Sequence, residues 1–325
     1  MKRSITLVLV ILMSVSALVG CVSSGLGVDG ISVDYYVDGN LYQTKEIARG
    51  GTVPYIEAPK KENQIFIGWF TDSALTERFD FTTSPFFSTT LYAGYAFETV
   101  AVADMVASRI MSGVVTVYSK CYNTGLGGLI ETSSSSSQGS GVVIDVSDGW
   151  CYVLTNYHVV KQLTEYSKQS ISVEDAWGNV YEAKIYKNSN KSGSAMDEAF
   201  DLALIYFHYE GGGKKNLSEI ELVGDPSINE NIIAVGSPEG QKNTFTCGKV
   251  IGFNKLSESS NENGVNIAFE VIIHDANIYR GSSGGPLINA KGQLVGLNFA
   301  GYNDGFYGCS IPASKIQEFL DIYVY

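Results

Sequence analysis

The stretch Arg280-Gly281-Ser282-Ser283-Gly284-Gly285-Pro286 decides how most of this 325-residue chain is interpreted. A serine hydroxyl becomes a strong nucleophile only when a base takes its proton and donors stabilise the oxyanion that forms. The glycines of this stretch permit the positive φ angles and close backbone approach of a sharp turn. Such a turn would direct the backbone N–H groups of Gly281 and Ser283 to one point, as an oxyanion hole requires. Taken alone, the stretch fits an ordinary surface turn equally well.

Two upstream segments supply the groups that would activate this serine. His158 follows the apolar, β-prone run 153–155, and Asp201 stands at the start of the apolar run 202–205. Catalytic triads of one geometry occur in different chain orders on different folds, so the order His158, Asp201, Ser283 is informative. We expect Ser283 to be the nucleophile, His158 the general base and then acid, and Asp201 the group that orients the imidazole.

The motifs of residues 98–325, taken in order, resemble the protease domain of the HtrA/Deg group of chymotrypsin-fold serine proteases. They lie at 139–144, 155–160, 201–205, 235–238 and 275–286. The resemblance implies a mainly β fold of two barrels and peptide-bond hydrolysis through an acyl-enzyme, without a cofactor. It also fixes the nucleophile as Ser283 rather than Ser282, because the serine of this pattern directly precedes the Gly-Gly pair. Asp197 and Glu198 are rivals of Asp201, but neither enters a strand directly.

The chain departs from the family pattern at two positions of the turn. Ser282 stands where Asn or Asp is usual, and Arg280 stands where the relatives usually have Pro. The turn therefore lacks the restriction on φ that proline would impose. Only 13 residues follow Pro312, so we expect no PDZ domain and no peptide-gated activation through one.

The resemblance also implies where the substrate's P1 side chain would bind. The expected pocket residues come from three segments and are Ile278, Asn298, Phe299, Ala300 and the strand at 307–309 that includes Cys309. None of these is a buried acid that would attract Lys or Arg. The expected P1 residue is therefore small or medium-sized and apolar, and the expected substrates are unfolded or surface proteins.

Residues 28–97 form a separate unit of short aromatic strands. Alternation over 31–36 predicts a half-buried strand, and Val37-Asp38-Gly39-Asn40 predicts a hairpin turn. The aromatic segments that follow resemble one internalin-type B repeat, a small β-grasp-like module of bacterial surface proteins. Tyr95 stands where that family usually has Trp. The module is interpreted as a spacer rather than a binding unit, with few contacts to residues 98–325.

The N terminus has a basic start and a short apolar run over 5–19. This run falls short of the about 20 residues that span a bilayer, although a membrane-anchor helix is the alternative interpretation. Leu18-Val19-Gly20-Cys21 resembles a bacterial lipobox. The resemblance implies a signal peptide over 1–20, lipidation of Cys21, a flexible tether over 21–27 and attachment to the outer side of the cell membrane.

Composition excludes several other functions. The formal net charge is −12, and without Lys2 and Arg3 of the leader 20 basic residues face 34 acidic ones. Such an acidic chain is unsuited to binding nucleic acid through charge. The five cysteines and three histidines show no metal-ligand spacing, so no metal site is predicted. Sequence does not decide whether the four cysteines after Cys21 are free or bridged.

The remaining patterns predict a coarse secondary structure. Apolar residues at helical spacing over 99–111 predict a short amphipathic helix, and Pro312 opens a last helix. The serine-rich segment 122–137 is interpreted as a polar loop, which could regulate the site. Many short strands with intervening turns predict paired barrels. The expected strands are at 114–120, 139–145, 151–155, 171–176, 180–186, 202–206, 232–236, 245–253, 266–273, 286–289, 293–299 and 306–311.

Two competing functions remain. The segment 281–285 also fits the nucleophile elbow of α/β-hydrolases, but that fold places its histidine after the serine and no histidine follows Ser283. The second alternative is a surface adhesin or scaffold with a catalytically inactive protease domain. The intact His158, Asp201, Ser283 and Gly281 argue against it.

Overall fold

The structure is a computed structural model that describes residues 30–191, 193–211, 215–237, 244–256, 267–302 and 307–325. The expected signal peptide, the tether and Cys21 lie outside the described residues. Within those ranges, no helix has the length and hydropathy needed to span a membrane.

The N-terminal module is a four-stranded sheet in the order β2-β1-β4-β3, with the parallel pair β1–β4 at its centre. Its strands are β1 (Gly30–Val37), β2 (Asn40–Ala48), β3 (Gln64–Phe70) and β4 (Thr89–Phe97). Asp38 and Gly39 have φ angles of 51° and 73°, which are those of a type I′ turn, so the predicted hairpin is confirmed. Tyr95 is 5% exposed and donates to the Pro59 carbonyl at 2.7 Å, so this aromatic position lies in the core.

A short helical segment connects the module to the barrels. It comprises α1 (Thr99–Met105), a π-helical turn (Val106–Ile110) and a 3₁₀ turn (Met111–Gly113). Its buried residues are the apolar ones of the predicted helix, namely Val102, Met105, Val106 and Ile110. They join a core cluster that contains residues of both barrels, so the segment stabilises the junction of the two barrels.

The first barrel contains seven strands and one short helix. They are β5 (Val114–Gly125), β6 (Ile130–Ser147), β7 (Trp150–Thr155), α2 (Tyr157–Val160), β8 (Lys168–Glu174), β9 (Val180–Ile185), β10 (Met196–Asp197) and β11 (Leu202–His208). The sheet order is β10-β11-β7-β6-β5-β8-β9, and pairing of β9 with β11 closes six of the strands into a barrel.

One element of this barrel differs from the sequence prediction. The segment 122–137 was expected to be a polar loop, but it belongs to a long hairpin of β5 and β6 around a 3₁₀ turn at Leu126–Gly128. Ser133 pairs with Asn123, and Ser137 pairs with Ser119. Backbone groups form these ladder bonds whatever the side chains are, so a serine run continues the strand when a partner strand lies beside it.

The second barrel is closed in the order β12-β13-β14-β17-β16-β15. Its strands are β12 (Asn231–Gly236), β13 (Thr244–Lys255), β14 (Glu270–His274), β15 (Pro286–Asn289), β16 (Leu294–Tyr302) and β17 (Tyr307–Pro312). Helix α3 (Ala313–Tyr323) follows, with Pro312 at its N-cap and Ile316, Phe319 and Leu320 buried, as predicted.

More contacts join the N-terminal module to the second barrel than the sequence led us to expect. The side-chain amide of Asn63 donates to the Ala290 carbonyl at 2.9 Å. The amide of Asn231, at the start of β12, donates to Gln64 Oε1 at 2.7 Å and to the Tyr95 carbonyl at 3.2 Å. Polar side chains on loops and strand ends form this interface, and no periodicity in the sequence marks them.

The described cysteines, Cys121, Cys151, Cys247 and Cys309, are all free thiols. Burial raises the pKa of Cys151 and of Cys309 to about 12, so both remain protonated at neutral pH. The sequence left open whether these four cysteines are free or form disulfides, and in the structure they are free.

Candidate active site

The structure brings His158 and Asp201 into direct contact between the barrels. His158 lies in α2, and its Nδ1 is 2.8 Å from Asp201 Oδ2 and 3.0 Å from Oδ1. The backbone N–H of His158 donates to Asp201 Oδ1 at 2.9 Å, so the same carboxylate holds both the ring and the main chain. The Asp201 side chain is 0% exposed and that of His158 is 18% exposed. A buried carboxylate on Nδ1 fixes the tautomer that leaves Nε2 free to accept a proton.

Asp201 occupies a strained backbone conformation. Its φ angle is 51°, in the left-handed region that residues other than glycine seldom adopt. Three bonds hold it there: its carbonyl accepts the Asn156 amide at 2.9 Å and the Tyr157 N–H at 3.1 Å, and its N–H donates to the Glu198 carbonyl at 3.1 Å. The structure therefore selects Asp201 as the partner of the imidazole. Glu198 contributes only this backbone carbonyl, and Asp197 accepts a hydrogen bond from the Tyr323 hydroxyl.

Residues 279–282, which we call the nucleophile turn, precede the predicted nucleophile Ser283 and form a type II turn; residues 283–286 are called the nucleophile segment. The Ser282 N–H donates to the Tyr279 carbonyl at 2.9 Å, and Gly281, the third residue of the turn, has a φ angle of 95°. In this turn type the central peptide, between Arg280 and Gly281, faces opposite to its direction in a type I turn. Among the described residues, neither the Gly281 N–H nor the Ser283 N–H has a hydrogen-bond acceptor.

Ser140 of β6 connects this turn to the first barrel. Its backbone N–H donates to the Ser283 carbonyl at 2.7 Å, and its hydroxyl donates to the Gly281 carbonyl at 2.7 Å. The same hydroxyl accepts the Ser237 N–H at 3.0 Å, and the Ser140 carbonyl accepts the Thr155 hydroxyl at 2.7 Å. Ser140 is fully buried, and its bonds to Ser237 and Thr155 are protected from water, whereas its bond to the Gly281 carbonyl is partly buried.

Two glycines allow the nucleophile segment to lie against the histidine helix. A Cβ on Gly139 would lie 2.7 Å from Val159 of α2 and 2.9 Å from the Ser283 carbonyl. A Cβ on Gly284, whose φ angle is 84°, would lie 2.1 Å from the Ser140 carbonyl oxygen. Only glycine fits at both positions, and the missing side chains let Ser283 approach the residue that follows His158.

The hydroxyl of Ser283 does not contact the histidine in this structure. Its Oγ donates to the Phe299 carbonyl at 3.1 Å, and among the described residues it makes no hydrogen bond to His158. Phe299 is the extra residue of a β-bulge between Asn298 and Ala300, which turns its carbonyl out of the β16–β17 ladder. A serine side chain has three staggered positions, so rotation about χ1 is the movement that would redirect Oγ.

The expected substrate-pocket residues separate into two groups. Ile278 and Asn298 line a cavity of about 300 Å³ beneath the nucleophile turn, together with residues of β12 and β13. Phe299, Ala300 and Cys309 are not on the wall of this cavity and lie buried in the core. The bulge accounts for this difference, because it places the consecutive residues Phe299 and Ala300 in the same core cluster.

Sequence reasoning marked the segments 139–144 and 155–160 as motifs but gave no role to Ser140, Thr155 or Asn156. Each is 0% exposed, and each bonds to the nucleophile segment, to Asp201 or to one another. For Ser140 the available signal was a polar residue between two glycines at the start of an apolar run, and for Thr155 and Asn156 it was two polar residues between an apolar run and His158.

Comparison with known proteins identifies both parts of the chain. Residues 139–297 match the trypsin-like peptidase domain, and residues 32–94 match the Listeria-Bacteroides repeat domain. A solved structure, the Rv3671c protease from Mycobacterium tuberculosis in its active form, superposes with a TM-score of 0.51. The superposed region covers 69% of this chain and 86% of the M. tuberculosis chain, and the two sequences are 20% identical, so the match shows a shared fold. The two six-stranded barrels are those of the chymotrypsin-like fold.

Curated relatives extend the match. The chain is 30% identical over 231 residues to the serine protease Do-like HtrB of Bacillus subtilis (strain 168), covering 68% of this chain and 46% of the relative. It is 33% identical over 189 residues to the periplasmic serine endoprotease DegP of Escherichia coli (strain K12), and this match covers 55% of this chain and 34% of the relative. This chain thus spans less than half the length of these relatives. It carries a trypsin-like peptidase domain homologous to the HtrA and DegP serine proteases, with a Listeria-Bacteroides repeat before it.

Proposed function

We propose that this protein is a serine endopeptidase that hydrolyses peptide bonds through a covalent acyl-enzyme. The observation that carries the proposal is the Asp201–His158 pair, which lies across Gly139 from the turn that presents Ser283. The relatives named serine proteases support the same reaction.

In the proposed reaction, His158 Nε2 takes the proton of Ser283 as its Oγ attacks the carbonyl carbon of the scissile bond. Asp201 stabilises the imidazolium that forms. The N–H groups of Gly281 and Ser283, which lack acceptors among the described residues, bind the oxyanion of the tetrahedral intermediate. His158 then donates the proton to the leaving amine, and a water molecule hydrolyses the acyl-enzyme by the same steps.

We infer protein or peptide substrates with a small or medium-sized apolar P1 residue. Among the described residues, no charged side chain lines the cavity that contains Ile278 and Asn298, so these walls offer nothing to neutralise a charged side chain. Phe299, Ala300 and Cys309 would contribute through the backbone of β16 and β17 rather than through their buried side chains.

The test is peptidase activity together with labelling by a fluorophosphonate, which reacts with activated serines. Ser283→Ala or His158→Ala should lower kcat by roughly 10⁴–10⁶-fold, because the members of a triad act as a unit. The matched control is Ser282→Ala, whose hydroxyl accepts only the Tyr279 N–H at 3.2 Å and should affect kcat far less. Loss of activity in Ser282→Ala with retention in Ser283→Ala would contradict the assignment.

One observation favours a second candidate function, a surface adhesin or scaffold without catalysis. The Ser283 hydroxyl faces the Phe299 carbonyl and not the imidazole. The same labelling experiment separates the candidates, since an inactive scaffold would leave wild-type Ser283 unlabelled under conditions in which a control serine protease reacts.

We also infer an extracytoplasmic location with a lipid anchor on Cys21. The support is the Leu18–Cys21 sequence, and the E. coli relative is named periplasmic. Burying each CH₂ of an acyl chain in the membrane contributes about 0.8 kcal/mol, so Cys21→Ser should release or mis-process the protein. Mass spectrometry of the membrane-bound wild-type protein measures the modification, and an unlipidated N terminus beyond Cys21 would overturn the inference.

For the repeat module we infer a spacer role. Within residues 30–97, acidic and basic side chains lie on the surface in ion pairs and turns, such as Lys61 with Asp38, and none forms a nucleophile–base pair. Its hydrogen bonds to Asn231 and Ala290 make it a spacer of fixed orientation.

A further inference from the structure

Three buried polar side chains form a continuous chain inside the second barrel. His274 ends β14, Ser310 lies in β17, Asn298 lies in β16, and each is 0% exposed. His274 Nε2 is 3.0 Å from Ser310 Oγ, and Ser310 Oγ donates to Asn298 Oδ1 at 2.9 Å. We call these three residues the buried relay.

The direction of the hydrogen bonds in the buried relay follows from the number of protons. Ser310 has one hydroxyl proton, which goes to Asn298 Oδ1. His274 must therefore donate from Nε2, and its Nδ1 is a bare acceptor that has no hydrogen-bond partner in the described part of the chain. Burial lowers the pKa of His274 to about 4, so the ring is neutral at neutral pH. The backbone of Ala276 favours the protonated ring and so opposes this lowering of the pKa, but the effect of burial is larger. In the neutral ring Nδ1 has no hydrogen bond to Ala276.

The other end of the buried relay lies on the nucleophile segment. Asn298 Nδ2 donates to the Pro286 carbonyl at 3.2 Å. The Asn298 N–H donates to the Gly285 carbonyl at 2.9 Å, and its carbonyl accepts the Gly284 N–H at 2.8 Å. One residue thus holds the three residues that directly follow Ser283.

The surroundings of His274 are built for its ring. It pairs with Gly308 of β17, where a Cβ would lie 2.1 Å from the ring carbon Cε1. An apolar side chain would fill this space without the cost of burying a polar ring with one unpaired nitrogen. The hydrogen-bonded members of a buried polar network, here His274 Nε2, the Ser310 hydroxyl and the Asn298 amide, contribute instead a single defined geometry.

We propose that the buried relay is a positioning device that holds the Ser283–Pro286 segment, and with it the nucleophile, in reactive geometry. The proposal rests on the proposed peptidase function. His274, Ser310 and Asn298 act through the nucleophile segment and contribute no group to the reaction itself. A displacement of about 1 Å in a reacting group can lower a rate by about 10²-fold, so small shifts at Asn298 would be measurable.

The first experiment compares Ser310→Ala with Ser119→Ala in peptidase assays of the full chain. Ser119 is also a buried serine, 2% exposed, whose hydroxyl accepts the Gln169 amide at 2.9 Å. It lies in the first barrel, where the same amide also donates to the Val160 carbonyl, and this bond does not involve residues 283–286. Ser310→Ala should lower kcat by roughly 10–100-fold with KM within about threefold, and should slow fluorophosphonate labelling equally. Ser119→Ala should leave both near the wild-type values at a comparable melting temperature.

A second pair keeps the proposal testable if Ser310→Ala does not fold. His274→Gln retains an N–H donor for Ser310 and should keep most of kcat, whereas His274→Leu of similar size should lose it. Equal kcat in the two His274 variants, or an equal loss in Ser119→Ala and Ser310→Ala, would overturn the relay. An unreactive wild-type protein would overturn the peptidase function and the relay together, so the two failures are distinguishable.

Discussion

Ser140→Ala tests whether the nucleophile turn is held from the first barrel. The substitution removes a buried hydroxyl that donates to the Gly281 carbonyl and accepts the Ser237 N–H. The backbone bond from the Ser140 N–H to the Ser283 carbonyl remains, because it needs no side chain. The change therefore releases the peptide between Gly281 and Ser282 without detaching the nucleophile.

The expected effects on stability and on rate have different origins. The buried Ser237 N–H and the partly buried Gly281 carbonyl each lose a hydrogen bond, which lowers the free energy of unfolding by roughly 1–3 kcal/mol. Once the Gly281 carbonyl loses its partner, the N–H of Gly281 no longer has a fixed direction toward the developing oxyanion. Loss of one oxyanion donor costs about 10²–10³-fold in kcat, so we expect roughly 10²-fold for a misdirected donor, with little change in KM.

Thr116→Val is the matched control. The Thr116 hydroxyl lies 2.9 Å from the Ser237 hydroxyl and is equally buried, but it does not reach Gly281. We expect a comparable loss of melting temperature with kcat within about threefold of wild type. Peptidase assays with a peptide that carries a small apolar P1 residue, and thermal melts on both variants, provide the comparison. If both folded variants lose kcat to the same extent, Ser140 supports the fold and not the turn.

Two further predictions concern stability. A truncated chain of residues 98–325 loses, among other contacts, the Asn63 bond to Ala290 and the Asn231 bonds to Gln64 and Tyr95. At about 1 kcal/mol each, these three bonds should lower the melting temperature by about 6–12 °C. Its kcat/KM should stay within about threefold, because the module contacts β12 at Asn231, the opposite end of the strand from Gly236, which lies beside the nucleophile turn. A loss of kcat/KM above about tenfold would contradict the spacer role. Second, the His274 pKa, lowered from 6.5 to about 4, means that the unfolded chain binds a proton between these pH values while the folded chain does not. Denaturant unfolding should therefore show that the free energy of unfolding of the wild type falls, between pH 6.5 and pH 4, by roughly 3 kcal/mol more than that of His274→Gln. If the two proteins lose stability in parallel over this pH range, the assigned pKa of His274 is wrong.

The sequence predicted most of the barrel strands because alternating or continuous apolar runs report which residues face a core. It predicted the reacting groups from motifs: His158 follows an apolar run, Asp201 precedes one, and Ser283 lies in a glycine-rich turn. The structure adds the contact between His158 and Asp201, which no spacing along the chain encodes.

The features that the sequence did not predict depend on partners distant in the chain. The run Ser133–Ser137 has the composition of a loop, yet it continues a strand because β5 lies beside it. Asn231 is an unremarkable polar residue at a strand start until Gln64 and Tyr95 of the repeat module contact it. In each case a tertiary contact outweighs the local propensity.

The nucleophile turn shows how such contacts replace a local signal. At Arg280 the sequence lacks the proline that would restrict the turn, and from the chain alone its resting shape is therefore undetermined. In the structure Gly281 adopts the positive φ angle of a type II turn, and the Ser140 hydroxyl from the other barrel holds the Gly281 carbonyl. A hydrogen bond between residues 141 positions apart thus supplies the restriction that proline would have supplied within the turn. Because that bond exists only when the two barrels are docked, the geometry of the proposed oxyanion donors depends on barrel docking rather than on the turn sequence.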